Sequence, residues 1–165
     1  MITRRNCLVG MAGLVAVGAG AARAAVQPVV AYADGLMPGW WIGGWSKTTA
    51  NFGFADGTKP IEVTMAGWNG MTLQTNTPLD TSPFTVLTMV VNGGEKGRQE
   101  FELTLKKGDK VVSEPAIIDC DKGQWVRTDV PLKKMRVKDQ IDTIMLTNKS
   151  ADAMEPFYLN YVLFQ

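Results

Sequence analysis

The sequence predicts an all-β protein, a two-sheet β-sandwich of jelly-roll type with little or no helix after an N-terminal leader. Three observations predict it. Nearly every segment after residue 58 alternates apolar and polar residues, the signature of half-buried strands. Breaks rich in Gly, Asp and Asn separate these segments at spacings of roughly 8–12 residues, as sandwiches and jelly rolls require. Beyond the leader, no window of about 11 residues carries the apolar stripe of an amphipathic helix.

Residues 1–24 read as an export signal to be set aside before any fold is argued. Arg4 and Arg5 supply the positive start, Leu8 to Ala22 a mild apolar run, and Ala22-Arg23-Ala24 a small-x-small cleavage pattern, so the mature chain is expected to begin at Ala25. Thr3-Arg4-Arg5-Asn6-Cys7-Leu8 resembles a bacterial twin-arginine signal, departing from it at Cys7 and Val9. An ordinary secretory signal is the alternative, and both lead to a periplasmic or secreted protein. Cys7 lacks the preceding small-residue box of a lipoprotein, so no lipid anchor is expected.

Residues 25–165 then form one sandwich domain. A strand is expected at Val29 to Ala33, followed by a loop carrying Trp40 and Trp41. Ile61-Glu-Val-Thr-Met65 alternates cleanly, and Gly70 to Gln74 follows it. Phe84 to Val91 is almost continuously apolar and β-branched, which predicts a central strand covered on both sides. Phe101, Leu103 and Leu105 share one face of the next strand, with Glu100, Glu102 and Thr104 on the other. Further strands are expected at Val111 to Ile118, Gln124 to Val130, Ile141 to Thr147 and Phe157 to Phe164, with at most a helical turn within Pro131 to Lys138. The breaks Asn92-Gly93-Gly94, Lys107-Gly108-Asp109 and Asp121-Lys122-Gly123 supply the positive-φ positions of tight turns.

Composition narrows the function. The chain has 17 Lys and Arg against 16 Asp and Glu; removing Arg4, Arg5 and Arg23 leaves 14 against 16, a net charge of −2. With no basic block, neither nucleic acid nor an anionic membrane is an expected partner. No mature segment approaches the ~20 apolar residues of a membrane span. Only Cys120 survives processing, so no intramolecular disulfide forms. Between Asp119 and Asp121, it is expected to be unreactive, an exposed intermolecular disulfide being the alternative. The chain has no histidine, which removes the commonest general base and metal ligand.

Four of the five tryptophans, Trp40, Trp41, Trp45 and Trp68, lie among glycines and polar residues rather than in apolar runs. Such rings either plug the end of a sandwich or stay partly wet, where sugar rings stack on them. Trp125, opening an alternating strand, is expected in the core, and so is Trp45. Trp41 is the preferred exposed ring, with Trp40 beside it. Trp68, with Asn69 next to it and Gln74 along the following strand, makes a chemically coherent sugar contact, because buried hydroxyls need hydrogen-bond partners. Glu100 and Glu102 sit two residues apart on one face, with Cα atoms ~6.6 Å apart. Glycoside hydrolysis needs carboxylates flanking the bond, so these two are expected to pair with Lys or Arg, or to accept from sugar hydroxyls.

The order of motifs resembles a galactose-binding-like jelly roll of the bacterial extracytoplasmic carbohydrate-binding type. The likeness is carried by Val30-Ala-Tyr-Ala-Asp34 running into Gly39-Trp40 and Trp45-Ser46, by Ala66-Gly-Trp68-Asn-Gly70, by Asp80-Thr-Ser-Pro-Phe84 into Asn92-Gly-Gly94, and by Gly123-Gln-Trp125 with Phe157-Tyr-Leu-Asn160. The resemblance implies a non-catalytic module that binds a polysaccharide or oligosaccharide and requires no cofactor. It also implies a structural calcium near Asp34 and Asn160, weakened because Asn160 stands where the pattern often has Asp and brings no charge. The runner-up reading is an envelope protein-interaction module, and a third is a polysaccharide lyase acting through Tyr, Lys or Arg.

Overall fold

The computed structural model describes residues 26–165, so the expected export signal, its cleavage site and Cys7 lie outside the described residues. Among the described residues, twelve strands form two antiparallel sheets, accompanied by one helical turn. The first sheet runs β10 (Trp125–Pro131), β6 (Val86–Asn92), β12 (Phe157–Phe164), β4 (Ile61–Thr64), β3 (Lys47–Thr49), with β1 (Val29–Tyr32) also on β12. The second runs β2 (Trp40–Gly44), β5 (Gly70–Leu79), β11 (Ile141–Thr147), β7 (Glu100–Lys107), β8 (Lys110–Val111), with β9 (Ala116–Asp119) also on β7. The sandwich follows the alternation, although β5 runs five residues beyond the expected Gln74. No helix among the described residues is long and apolar enough to cross a membrane.

The core lies between the sheets, where alternation sends every second side chain. Leu87, Met89 and Val91 of β6, with Phe157, Leu159 and Phe164 of β12, meet Met71 and Leu73 of β5, Phe101, Leu103 and Leu105 of β7, and Ile144 and Leu146 of β11, all buried. Phe101 and Phe157, one from each sheet, stack across the core with ring centroids 5.0 Å apart. As expected, β6 is central, held between β10 and β12.

Two departures from the expected pattern have local causes. The Trp40–Trp41 pair lies in a strand, β2, rather than a loop. Second, Val111 to Ile118 is broken into β8 and β9, because Ser113 Oγ accepts from Leu105 N (2.9 Å) where a ladder partner would stand, and Pro115 has no N–H to give. The expected helical turn is α1 (Leu132–Met135), which buries Leu132 and Met135 and stops at Arg136 in the left-handed region.

The chain crosses between the sheets five times at one end: β2 to β3, β4 to β5, β6 to β7, β9 to β10 and β11 to β12. Three of these corners are laced by hydrogen bonds. Trp45 N and Ser46 N both donate to Gly70 O (2.8 and 3.1 Å), and Trp68 N donates to Ser150 O (2.9 Å). Asn148, with no exposed surface, donates from Nδ2 to Ala66 O (3.1 Å) and Asp152 O (2.8 Å), and its Oδ1 accepts from Ser150 N (2.9 Å). Its backbone N–H donates to Asn69 O (2.8 Å). Gly67 permits this approach: a Cβ there would stand 2.0 Å from Ala151 O.

Asn148→Ala would remove three part-buried hydrogen bonds, to Ala66 O, to Asp152 O and from Ser150 N, each contributing about 1 kcal/mol net. The variant is expected to lose about 3 kcal/mol of stability, measured as a lower urea midpoint at unchanged m-value.

Candidate functional site

The outward side of the second sheet gathers four of the residues that the sequence singles out, Trp41, Gln74, Glu100 and Glu102. Along β2, Trp41 pairs with Gln74 and Gly43 with Thr72, whereas Trp40 and Ile42 pair with the inward-facing Thr75 and Leu73. The strand's parity therefore divides the tryptophan pair. Trp41 is 37% exposed on the outer row, whereas Trp40 packs half-buried against the core.

Across β11 and β7 the outer row continues in register. Gln74, Thr143 and Lys106 form one rung, Thr72, Met145 and Thr104 the next, and Gly70, Thr147 and Glu102 the last. Thr72, Thr104 and Thr143 are buried although they point outward, so taller side chains wall a shallow floor of hydroxyls. Gly43 keeps that floor open to β2: a Cβ there would stand 2.9 Å from Thr72 Oγ1 and 3.5 Å from Gln74 Nε2. Thr72 Oγ1 is buried without a hydrogen-bond partner. At one end a cleft of about 350 Å³ lies between Trp41, Gln74, Asn76, Asp142 and Thr143. At the other, a cleft of about 400 Å³ is lined by Arg98, Glu100, Lys149 and Asp152.

Glu100 and Glu102 lie on this outer row, as alternation predicted, and Lys149 stands 3.6 Å from Glu102 Oε1. The expected pairing with a lysine holds for Glu102. Thr143 and Met145 were not singled out by the sequence. The parity of Thr143 is hidden because β11 slips register between Ile141 and Thr143.

Two tryptophans are placed differently from expectation. Trp45 is not core but 76% exposed, because Gly44, with φ +101°, turns the chain out of the sheet and leaves the next residue on a corner. Trp125 is not core either. It is half-buried on the outer side of the first sheet, where its Nε1 donates to Asp56 Oδ2 (2.7 Å) and its ring meets Phe54. Phe52 and Phe54 lie across Tyr158 with centroids 5.3 and 4.7 Å away, so the segment 50–60 roofs this outer face. Trp68 and Asn69 lie at the corner beside Trp45 rather than with Gln74, and Asn69 Nδ2 donates to Trp45 O (3.3 Å).

Asp34 and Asn160 do converge, but as a hydrogen-bonded pair. Asn160 sits in a bulge of β12, between the half that pairs with β4 and the half that pairs with β1. Its Oδ1 accepts from Asp34 N (2.9 Å) and Tyr161 N (2.9 Å), which fixes the amide so that Nδ2 donates to Asp34 Oδ1 (2.8 Å). Asp34 Oδ1 also accepts from Lys59 N (2.9 Å), and Tyr161 Oη donates to Oδ2 (3.2 Å). A cation would need the Asn160 oxygen turned towards it, which the two backbone donors prevent. The residues, so bonded, do not fit the calcium that the resemblance implied. The Lys59 N–H, then Asn160, hold the Asp34 carboxyl below its ordinary range. Burial, with Asp119 and Asp121 adding to it, pushes the Cys120 thiol up to about 12. At 2% exposure Cys120 is out of reach of an intermolecular disulfide.

No family model matches the chain, and no curated relative matches it. Several solved structures share its fold. The family 11 carbohydrate-binding module of a cellulosomal cellulase of Clostridium thermocellum is 14% identical with a TM-score of 0.63, covering 85% of this chain and 95% of its own. A family 29 carbohydrate-binding module from Piromyces equi is 15% identical with a TM-score of 0.58, covering 84% and 89%. A family 29 module variant solved with mannohexaose is 9% identical with a TM-score of 0.62, covering 84% and 90%. At these identities the likeness is one of fold, a jelly roll shared with carbohydrate-binding modules.

Two outcomes follow from the Asp34 cluster. Its carboxyl is lowered, so its contribution to stability is complete above the ordinary value of 3.8 and is lost as pH falls through the lower folded value. The thermal midpoint is therefore expected to fall below that pH, and less steeply in Asp34→Asn. A chelator such as EDTA should leave the midpoint of the wild-type protein unchanged; a drop reversed by added calcium would contradict the donor geometry.

Proposed function

We propose that this chain is an exported, non-catalytic glycan-binding module whose ligand lies along the outer face of the second sheet. Trp41 offers an indole face to a sugar ring, whose axial C–H surface is apolar. Gln74 beside it, Glu100 and Glu102 further along, and the threonine floor supply partners for the hydroxyls. The observation that carries the reading is the pairing of half-exposed Trp41 with Gln74, above a Thr72 hydroxyl that no protein atom satisfies. A buried polar atom without a partner is costly, and a sugar hydroxyl or an ordered water reaching the floor would satisfy it.

The fold likeness supports the ligand class. Modules of this fold have been solved with mannohexaose, cellulohexaose and a β-1,3-1,4-mixed-linked tetrasaccharide. The non-catalytic reading rests on residues: the chain has no histidine, and Glu100 and Glu102 approach from one strand rather than from opposite sides of a bond. The mixed polar lining favours a sugar over the flat apolar patch of a protein partner. Export rests on residues 1–24 alone.

Affinity should be modest, because one stacked ring and a few wet hydrogen bonds leave little after association entropy. Titration with cellulohexaose, mannohexaose and the mixed-linked tetrasaccharide, with binding to insoluble polysaccharides alongside, tests the reading. Trp41→Ala is expected to weaken binding about tenfold and Gln74→Ala about threefold to tenfold, with thermal midpoints little changed. No new reducing ends should appear. A folded protein retained by no polysaccharide would defeat the proposal.

A further inference from the structure

Residues Ala66 to Asn69 form a β-turn closed by Asn69 N donating to Ala66 O (3.2 Å), and its third residue, Trp68, has φ +61°. That position ordinarily belongs to glycine or asparagine, because a Cβ is strained there. A bulky ring in the left-handed region is normally retained because its burial offsets the strain. Trp68 has little burial to offset it, since it is 64% exposed. Other strained positions have internal duties. Tyr161 (φ +48°) reaches Asp34 through its hydroxyl, and Arg136 (φ +48°) ends α1.

Trp45, still more exposed at 76%, stands on the adjoining corner. The backbone beneath the two rings is held firmly. Trp45 N and Ser46 N converge on Gly70 O, Trp68 N donates to Ser150 O, and Asn69 Nδ2 reaches Trp45 O. A Cβ on Gly44 would stand 2.4 Å from Gly70 O, so the two corners pack as tightly as backbone allows. Two wet indoles on a pinned backbone lose little freedom when they take up a ligand.

The corner adjoins the outer face at its far end. Trp41 pairs with Gln74, whereas Trp45 bonds to Gly70, four residues back along β5, a distance of ~13 Å. We propose that Trp45 and Trp68 form a second aromatic contact for the same glycan, taking up the chain where it leaves the sheet beyond Trp41 and the threonine floor. The inference rests on the glycan-binding reading and deepens it: the preferred ligand is a chain long enough to reach both contacts, not a mono- or disaccharide.

Retention is first measured on cellulose, mannan, mixed-linked β-glucan, xylan and chitin. The trisaccharide and hexasaccharide of the best-retained polymer are then titrated into wild-type, Trp41→Ala, Trp45→Ala and Trp68→Gly proteins. Trp68→Gly is expected to keep or raise the thermal midpoint, since glycine adopts positive φ freely. It and Trp45→Ala are each expected to weaken the hexasaccharide about tenfold and leave the trisaccharide within about twofold. Trp41→Ala weakens both ligands. Unchanged hexasaccharide affinity in both corner variants overturns the second contact while leaving the binding face intact. So does a large fall in the thermal midpoint of Trp68→Gly, which would give the ring a structural duty. Wild-type protein retained by no polymer overturns the glycan reading and this inference with it.

Discussion

The structure depends on crossing its two sheets five times at one end while giving the backbone there new hydrogen-bond partners. A strand that changes sheets abandons its ladder partners, and each corner must find others. Asn148 is the group on which two of these corners converge, its side-chain amide substituting for ladder bonds that the β4–β5 and β11–β12 connections cannot make. Glycines complete the arrangement by removing side chains where backbone meets backbone, at Gly44, Gly67 and Gly70. The functional consequence is positional. Residues on these corners, Trp45 and Trp68 among them, are carried outward on a framework that cannot relax around them.

The two outer faces of the sandwich have different fates, and this asymmetry locates the candidate site. On the first sheet, Phe52 and Phe54 from the segment between β3 and β4 lie against Tyr158 and Trp125, and the Trp125–Asp56 hydrogen bond holds that segment down. The second sheet has no such roof among the described residues. Its outer row ends in hydroxyls, an amide and carboxylates with one indole at the margin, chemistry suited to a ligand that is apolar on its ring faces and polar at its rim.

The Asp34–Asn160 pair shows how a motif can keep its place and change its role. Both residues come together beside the bulge that splits β12 between β4 and β1. With an amide in place of a carboxylate, the cluster is satisfied by N–H donors from Lys59, Asp34 and Tyr161, and the charge that would attract a cation is already solvated by protein. What remains is a hydrogen-bonded clasp between the amino-terminal segment and the closing strand.

Alternation along the chain determined the strands, the two-layer architecture and the division of each strand into inner and outer residues: Phe101, Leu103 and Leu105 inward, Glu100 and Glu102 outward. It determined these because side chains on a strand point to opposite sides whatever the strand packs against. Only the tertiary structure decided what each outer face meets. Trp125 looked like core because its strand alternates, yet its side of the sheet is roofed by a distant loop. Trp45 looked like core because it seemed to begin a strand with Lys47 on its side, yet Gly44 turns it onto a corner. Thr143 escaped notice because the register shifts between Ile141 and Thr143, where pairing with β5, and not local propensity, sets the parity. Period reports which residues travel together; which surface stays open depends on contacts between segments far apart in the chain.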